Sequence, residues 1–489
     1  MSETTANPRF QSAARAAGPL AFVLLLFFGP ADLSPEGRKT LAGGAWMIVW
    51  WITECVPILA TSLLPLALFP LLGIASSRDA AAPYANDLVF LFMAGFILAA
   101  ALEHWESHAR VAYRMVLTIG LSGRRVVLGV MLATGFISMW ISNTATAAMM
   151  YPIAMAIGAL FAANREGDNT RTALMLGVAY AASIGGMATV IGTPPNLVVA
   201  GAIRELTGRS ISFVEFMALG LPIALILLPV CWILLTFVVF PGRAKIGGDA
   251  GNLLRARLTG LGPVRGGEAR VLAIFFATAL AWFLRERKEF GGFSMPGLAD
   301  LFPKISDASI GVTAAVLLFV VTGQAKDGSR RPLITWREAK NIPWNVLVFF
   351  GGGLALAQAI ETHGLTIWMG SGLDRLKDFP PVAIYLGLAV TVLVLSELAS
   401  NLAVAAMTMP IAAALGASVG QPAMVLMLVA GFAASTGFAL PVATPPNAIV
   451  FGSGQITVRQ MARAGVLLDI VAVGVIVAVI YFLAPLVLG

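Results

Sequence analysis

The sequence predicts an all-α integral membrane protein, with about eleven crossings and two re-entrant hairpins arranged as two inverted repeats. Three observations carry this expectation: an apolar composition, apolar runs of membrane length from end to end, and a set of polar motifs that occurs twice in the same order. Hydrophobic residues make up 58% of the 489 and charged residues only 12%. An ordinary soluble domain carries about twice that share of charge.

The runs Thr40–Val56, Phe213–Phe240, Val271–Leu284 and Ala464–Leu488 are apolar, and about 20 such residues cross a hydrocarbon core. The segment Pro19–Phe28 lacks a small-residue cleavage site, so it reads as part of the first span rather than a removable signal. Between the spans there is no stretch that would form a soluble catalytic domain. Cys55 and Cys231 fall in separate apolar segments, which indicates packing thiols rather than a disulfide or a metal cluster.

The formal charge of +7 is informative through its distribution. Of the 32 Lys and Arg residues, 21 fall in Met1–Ala16, His104–Arg125, Ala162–Arg171, Pro241–Arg270, Gln324–Asn341 and Ser453–Arg463. All of these lie on the side that holds the N-terminus when the spans alternate. Excess positive charge marks the cytoplasmic face. The expectation is a multi-pass protein of the inner (plasma) membrane with a cytoplasmic N-terminus and an extracytoplasmic C-terminus. Anionic lipid, not nucleic acid, is the partner this charge suits.

The chain is written twice. Ser142-Asn143-Thr144 through Pro152-Ile153-Ala154 aligns without a gap on Ser400-Asn401-Leu402 through Pro410-Ile411-Ala412. Further on, Thr193-Pro194-Pro195-Asn196 matches Thr444-Pro445-Pro446-Asn447, and upstream Gly95 and Glu103 align on Gly353 and Glu361. The first repeat is placed at residues 1–240, with a hairpin at about 122–161 and a broken helix at about 172–204. A basic, Gly-rich linker at about 241–270 follows on the cytoplasmic side. The second repeat, 271–489, has its hairpin at about 381–418 and its broken helix at about 423–452. With an odd number of crossings the halves are inverted, the signature of an alternating-access transporter with its site between the repeats.

Val126–Ile141 and Ala145–Phe161 are each slightly short to cross alone and meet at Ser142-Asn143-Thr144, so they read as a hairpin with a polar tip. Val382–Leu395 and Leu402–Leu415 repeat this around Ser400-Asn401. The Pro-Pro pairs interrupt the next helices at Gly192–Asn196 and Ala443–Asn447, because proline lacks the N–H donor and clashes with the preceding turn. A helix that starts at a hairpin tip presents free N–H groups and a partial positive charge to an anion. Asn143 and Asn401 add amide donors there, and Thr144 adds a hydroxyl. The proline breaks release carbonyl oxygens of the opposite polarity. Ser138, Ser142, the Asn143 side-chain oxygen and the Gly192 carbonyl would form one oxygen cage for Na+, a hard cation. Ser396, Asn401 and the carbonyls of Ala399 and Ala443 would form its repeat-related partner.

These motifs, together with the early Trp50-Trp51-Ile52-Thr53-Glu54 and Pro57 stretch, resemble the divalent anion/sodium symporter family over nearly the whole chain. That family carries dicarboxylates, citrate or sulfate. The resemblance implies a homodimer whose protomers have scaffold and transport domains and work by an elevator movement. It implies the same sodium ligands, and substrate contacts at Asn143, Thr144, Thr193, Asn401, Thr444 and Pro445. Pro194, the repeat counterpart of Pro445, is grouped with them. One position departs from the family's pattern: Leu402 stands where threonine is common, so a hydroxyl donor to one carboxylate is missing and Leu402 would meet the substrate's carbon chain instead.

The expected activity is sodium-coupled symport of a C4-dicarboxylate such as succinate, malate or fumarate. A sodium-independent exchanger and a sulfate or citrate carrier of the same fold are the alternatives. An enzyme is not expected: His104 and His108 lack the glutamate that a zinc-protease helix places directly after its first histidine. Glu397 stands beside Ser396 and suits a scaffold contact, while Asp469 in the last span has no role in this reading.

Overall fold

A computed structural model describes residues 8–159, 161, 169–241, 250–264, 266–290, 293–325 and 328–489. Among the described residues the regular structure is helical apart from two short antiparallel ladders, Lys288–Phe290 with Phe293–Met295 and Thr322–Gln324 with Arg330–Pro332. Among the described residues, eight helices are long and apolar enough to cross a membrane. They include Phe213–Val239, Gly266–Phe283, Trp344–Thr362 and the 31-residue Val458–Leu488. Two more of the eight, Pro381–Leu398 and Asn401–Val419, are the two arms of the second motif-bearing hairpin.

Both hairpins form where the polar triplets stand. Gly123–Ser138 and Asn143–Ala159 are separated by Met139–Ser142, and Pro381–Leu398 and Asn401–Val419 by Ala399-Ser400. The Pro-Pro motifs open new helices, Pro194–Thr207 and Pro445–Phe451, because proline suits the first turn, where its missing N–H has no partner to lose. Before each lies a non-helical stretch: Met187–Thr193 after the helix Thr170–Gly186, and Ser435–Thr444 after the helix Ala423–Ala434. Within the linker a helix runs over Ala250–Gly260, and the next helix starts at Gly266. Residues 242–249 and 265 of the linker, and 162–168 of the basic segment before the first broken helix, lie outside the described residues.

Contacts divide the chain into two compact units. One comprises Met1–Val89, Pro194–Ile211 and Pro343–Ser435. Within it the helix Pro194–Thr207 packs on Trp344–Thr362, Asn401–Val419 and Ala423–Ala434. This approach is close: a Cβ on Gly431 would lie 2.1 Å from the Val199 side chain, and one on Gly201 2.5 Å from Phe350. Small residues let helices meet in lipid, where no hydrophobic force drives them together.

The other unit comprises Phe90–Thr193, Ser212–Ile342 and Thr436–Gly489. At its centre is the helix Thr170–Gly186, buried at every position from Thr172 to Gly186. Both arms of the first hairpin, the helix Phe213–Ile233 and the helix Pro445–Phe451 pack on it. A Cβ on Gly185 would lie 2.2 Å from the Gly135 carbonyl oxygen, so two backbones touch there. The helices that follow the two breaks, Phe213–Ile233 and Val458–Leu488, pack on one another. At the edge of this unit Arg110 and Glu268 form a buried two-pronged ion pair at 2.6 and 2.7 Å. Arg110 also donates to the Gly262 carbonyl and so ties the linker to the helix Ser107–Ile119.

Candidate functional site

The first hairpin tip is held by several hydroxyls, among them Thr189, which donates to the Met139 carbonyl. Ser138, fully buried, bonds the Ala182 carbonyl at 2.6 Å and lies 2.9 Å from Asn143 Oδ1. Asn143 Nδ2 donates to Thr193 Oγ1 at 3.2 Å, which joins the tip to the end of the first break. The serine and the asparagine meet because the chain reverses between them and closes on itself, Ile141 N–H bonding the Ile137 carbonyl.

Glycines make the remaining room. A Cβ on Gly186 would lie 2.0 Å from Asn143 Oδ1, and one on Gly192 2.5 Å from the Gly186 carbonyl and 3.0 Å from the Ser138 carbonyl. Oxygens of Ser138, Asn143, Gly186 and Thr193 thus converge among buried neighbours, and none of these residues carries a charge. Such a set fits a hard monovalent cation and offers nothing to a soft metal. Among the described residues no group of three or more His, Cys, Asp or Glu side chains is placed to hold a metal.

Ser142 sits apart from this cluster in its bonding. Its Oγ accepts the Ala145 N–H at 3.4 Å, an N-cap arrangement. Thr144 is exposed at the first turn of its helix. Pro194 is half-buried.

The second tip repeats the pattern inside the other unit. Ser396, also fully buried, lies 2.6 Å from Asn401 Oδ1 and bonds the Ala434 carbonyl at 2.8 Å. Ala399, Ser400 and Leu402 are half-buried beside it. The duplication therefore extends to a hydrogen-bond triad: Ser138, Asn143 and Ala182 in one half, Ser396, Asn401 and Ala434 in the other.

Ala443, Thr444 and Pro445 belong to the unit that holds the first tip, not to the unit that holds the second. There the helix Pro445–Phe451 packs against Asn143–Ala159. Thr444 caps it by accepting the Asn447 N–H at 3.3 Å. Asn447 Nδ2 donates to the carbonyls of Gly437 and Leu440, both at 3.0 Å, which folds the second break back on itself.

Motif reading missed the carbonyls of Ala182 and Ala434 and the close approach of Gly186. Backbone acceptors leave no trace in a residue alphabet. The paired Gly185-Gly186 was the only available signal, and it does not name the partner.

Comparison with known proteins gives the chain's relatives. A family model described as "Sodium:sulfate symporter transmembrane region" matches residues 12–488. A protein of Staphylococcus saprophyticus named "Sodium-dependent dicarboxylate transporter SdcS" is 41% identical over 480 residues, 96% of this chain and 91% of that protein. Its namesake in Staphylococcus aureus strain RF122 is 40% identical over the same shares. Among solved structures, the YdaH transporter of Alcanivorax borkumensis is similar in fold alone: its TM-score is 0.51 at 14% identity, covering 85% of this chain and 87% of that one.

Proposed function

Because the chain belongs to the sodium:sulfate symporter family, we propose that this membrane transporter couples the uptake of a C4-dicarboxylate, succinate, malate or fumarate, to the entry of sodium. The observation that carries this reading is the duplicated triad, in which a buried serine hydroxyl links an asparagine oxygen to a helix carbonyl at both tips. Two neutral oxygen clusters suit two sodium ions. The relatives named as sodium-dependent dicarboxylate transporters support both the ion and the class of anion.

In this reading Ser138, Ser142, Asn143 and Gly192 hold one sodium, with the Gly186 carbonyl as an added candidate. Ser396, Ala399 and Asn401 serve the other, and the Ala443 carbonyl, the repeat counterpart of Gly192, lies in the unit of the first tip. The N–H groups at the helix starts Asn143 and Asn401, the Thr144 hydroxyl, Thr193 and Thr444 are the groups suited to a carboxylate, and Pro194, Leu402 and Pro445 are suited to apolar contact. Cations and dianion lower the cost of bringing one another out of water. Two sodium ions leave the cycle electroneutral, whereas a third adds about 2.3 kcal/mol of driving force per 100 mV.

Family membership also supports a homodimer that works by an elevator movement in the plasma membrane. The Lys/Arg distribution supports a cytoplasmic N-terminus. Labelling of a cysteine appended after Gly489 by an impermeant reagent in intact cells checks the opposite placement of the C-terminus.

The test of function is uptake of labelled succinate by purified protein in liposomes. Replacing sodium by choline should abolish uptake, and unlabelled malate and fumarate should compete while sulfate does not. Uptake indifferent to sodium would establish the exchanger instead. Competition by sulfate or citrate ahead of succinate would reassign the anion.

A further inference from the structure

An open groove runs between the helices Gly266–Phe283 and Asp307–Val320, which pack on one another within one compact unit. Its volume is about 950 Å³, and residues of the segment 298–305 line it at the end where the two helices are joined. Ala273, Ala277 and Ala281 line one wall at intervals of four, which puts them on one face of their helix. Ser309, Thr313 and Leu317 line the other wall at the same interval. The hydroxyls of these walls are already engaged by their own backbone: Thr278 donates to the Ile274 carbonyl at 2.7 Å, and Ser309 to Ser306 and Thr313 to Ser309, both at 2.8 Å. An occupant therefore meets walls that are apolar in effect.

The rim of this groove belongs to the bilayer. Gly266–Phe283 is long and apolar enough to cross a membrane, and Phe276 and Leu280 on it, with Val316 and Val320 on the facing helix, are exposed. Asp307–Val320 has 14 residues, a rise of about 21 Å against a hydrocarbon core of about 30 Å. The exposed Leu301 and Phe302 just ahead of it thus come to the level of the membrane interface. Lys304 stands beside them in the lining. The arginines of the same connection are engaged, Arg285 with Glu286 and with Asp307 at 2.6 Å, and Arg287 with Asp300 at 3.3 Å. Among the described residues Lys304 has no ion pair. A lysine at such a place covers apolar surface with its stem and keeps its ammonium at the headgroup level.

We infer that this groove is a binding site for an anionic phospholipid, with an acyl chain between the alanine wall and the facing helix and the phosphate on Lys304. The walls call for an occupant that is apolar along its length, and the unpaired lysine calls for one that is negative at its end. Bilayer lipid of that build is present at this depth. A dicarboxylate would leave its second charge unmatched among the alanines, and a second copy of this chain would have to bring a carboxylate of its own to Lys304. The inference is independent of which anion the protein carries.

The test uses the full chain in liposomes that contain phosphatidylglycerol or phosphatidylcholine with a photoactivatable diazirine in one acyl chain, and maps the cross-linked peptides by mass spectrometry. Label from phosphatidylglycerol should concentrate on residues 273–281 and 309–317 and exceed that from phosphatidylcholine about fivefold there. The helix Pro381–Leu398, which carries exposed Val390 and Val394 and no Lys or Arg, should take both lipids equally. Lys304→Gln should bring the two lipids level in the groove. Ala277→Phe, which fills the groove, should lower label from both lipids at those segments relative to Pro381–Leu398, an internal reference that holds even for a variant made in low yield. Equal labelling by the two lipids in the wild type, or a preference that survives Lys304→Gln, would mean bulk lipid and overturn the inference. Groove segments that escape both lipids and cross-link to a second copy of the chain would overturn it in favour of a protein contact.

Discussion

The two hairpins hold their tips with the same three-way bond, but they differ in the residue beside the asparagine, Thr144 in one and Leu402 in the other. The helices Phe213–Ile233 and Val458–Leu488 differ as well, with Ala224 in one where Asp469 stands at the same interval from the helix start in the other. What stays equal is the part that makes a cation-sized oxygen cluster: serine hydroxyl, asparagine oxygen and helix carbonyl. The residues beside that cluster have diverged. A duplicated scaffold can thus keep its ion chemistry in both copies while the copies specialise around it.

The comparison is most exposed at the glycine that makes room for Asn143. Gly186→Ala would drive its Cβ into Asn143 Oδ1, displacing the amide from both Ser138 and Thr193. Overpacking costs about 1–3 kcal/mol and losing bonds to a charged ligand about 1.5–3 more. Sodium-dependent uptake should fall at least about a hundredfold. Gly387→Ala, in the second hairpin's first arm, where a Cβ meets nothing within 4 Å, should transport like the wild type. Equal effects of the two would show that the first cluster is not special.

A smaller effect is expected from exchanging the third tip residues. Leu402→Thr adds a hydroxyl donor and should lower the succinate KM about tenfold, while Thr144→Leu should raise it by a similar factor. Unchanged constants and substrate ranking in both would remove this position from the anion site. The smallest effect is reserved for the capping boxes that open the two post-break helices, Ser212 with Glu215 and Thr457 with Gln460. Ser212→Ala and Thr457→Ala should each cost about 1 kcal/mol and lower the melting temperature of purified protein by about 1–2 °C, with uptake per molecule within twofold. A drop confined to one cap would mean that the two post-break helices are not held alike.

Much of this was legible before any coordinates. Proline and the Ser-Asn pairs announce helix starts for local reasons, the missing N–H and the side-chain acceptor, so both tips and both breaks fall where the motifs stand. The Ser138 and Asn143 contact follows from spacing across a tight reversal. The Ala182 and Ala434 carbonyls were not legible, because a backbone acceptor 44 or 38 positions away is chosen by packing rather than by residue type. Asp469 was visible as an oddity in an apolar helix. Its partner was not, since Phe438 N–H becomes available only when the chain leaves its helix. The linker helix Ala250–Gly260 escaped because its glycines and charges read as a connector.

The contact between Gly135 and Gly185 has a consequence for leakage. A carrier that accumulates an anion dissipates its gradient if ions slip past the cargo, about 2.3 kcal/mol for each charge crossing 100 mV. Such slippage follows a file of water molecules, and water needs a roomy, polar cleft. Where Gly135 of the arm Gly123–Ser138 meets Gly185 of the helix Thr170–Gly186, backbone touches backbone and leaves no room for water at that point. Beside the first oxygen cluster, the protein is its own electrical insulation.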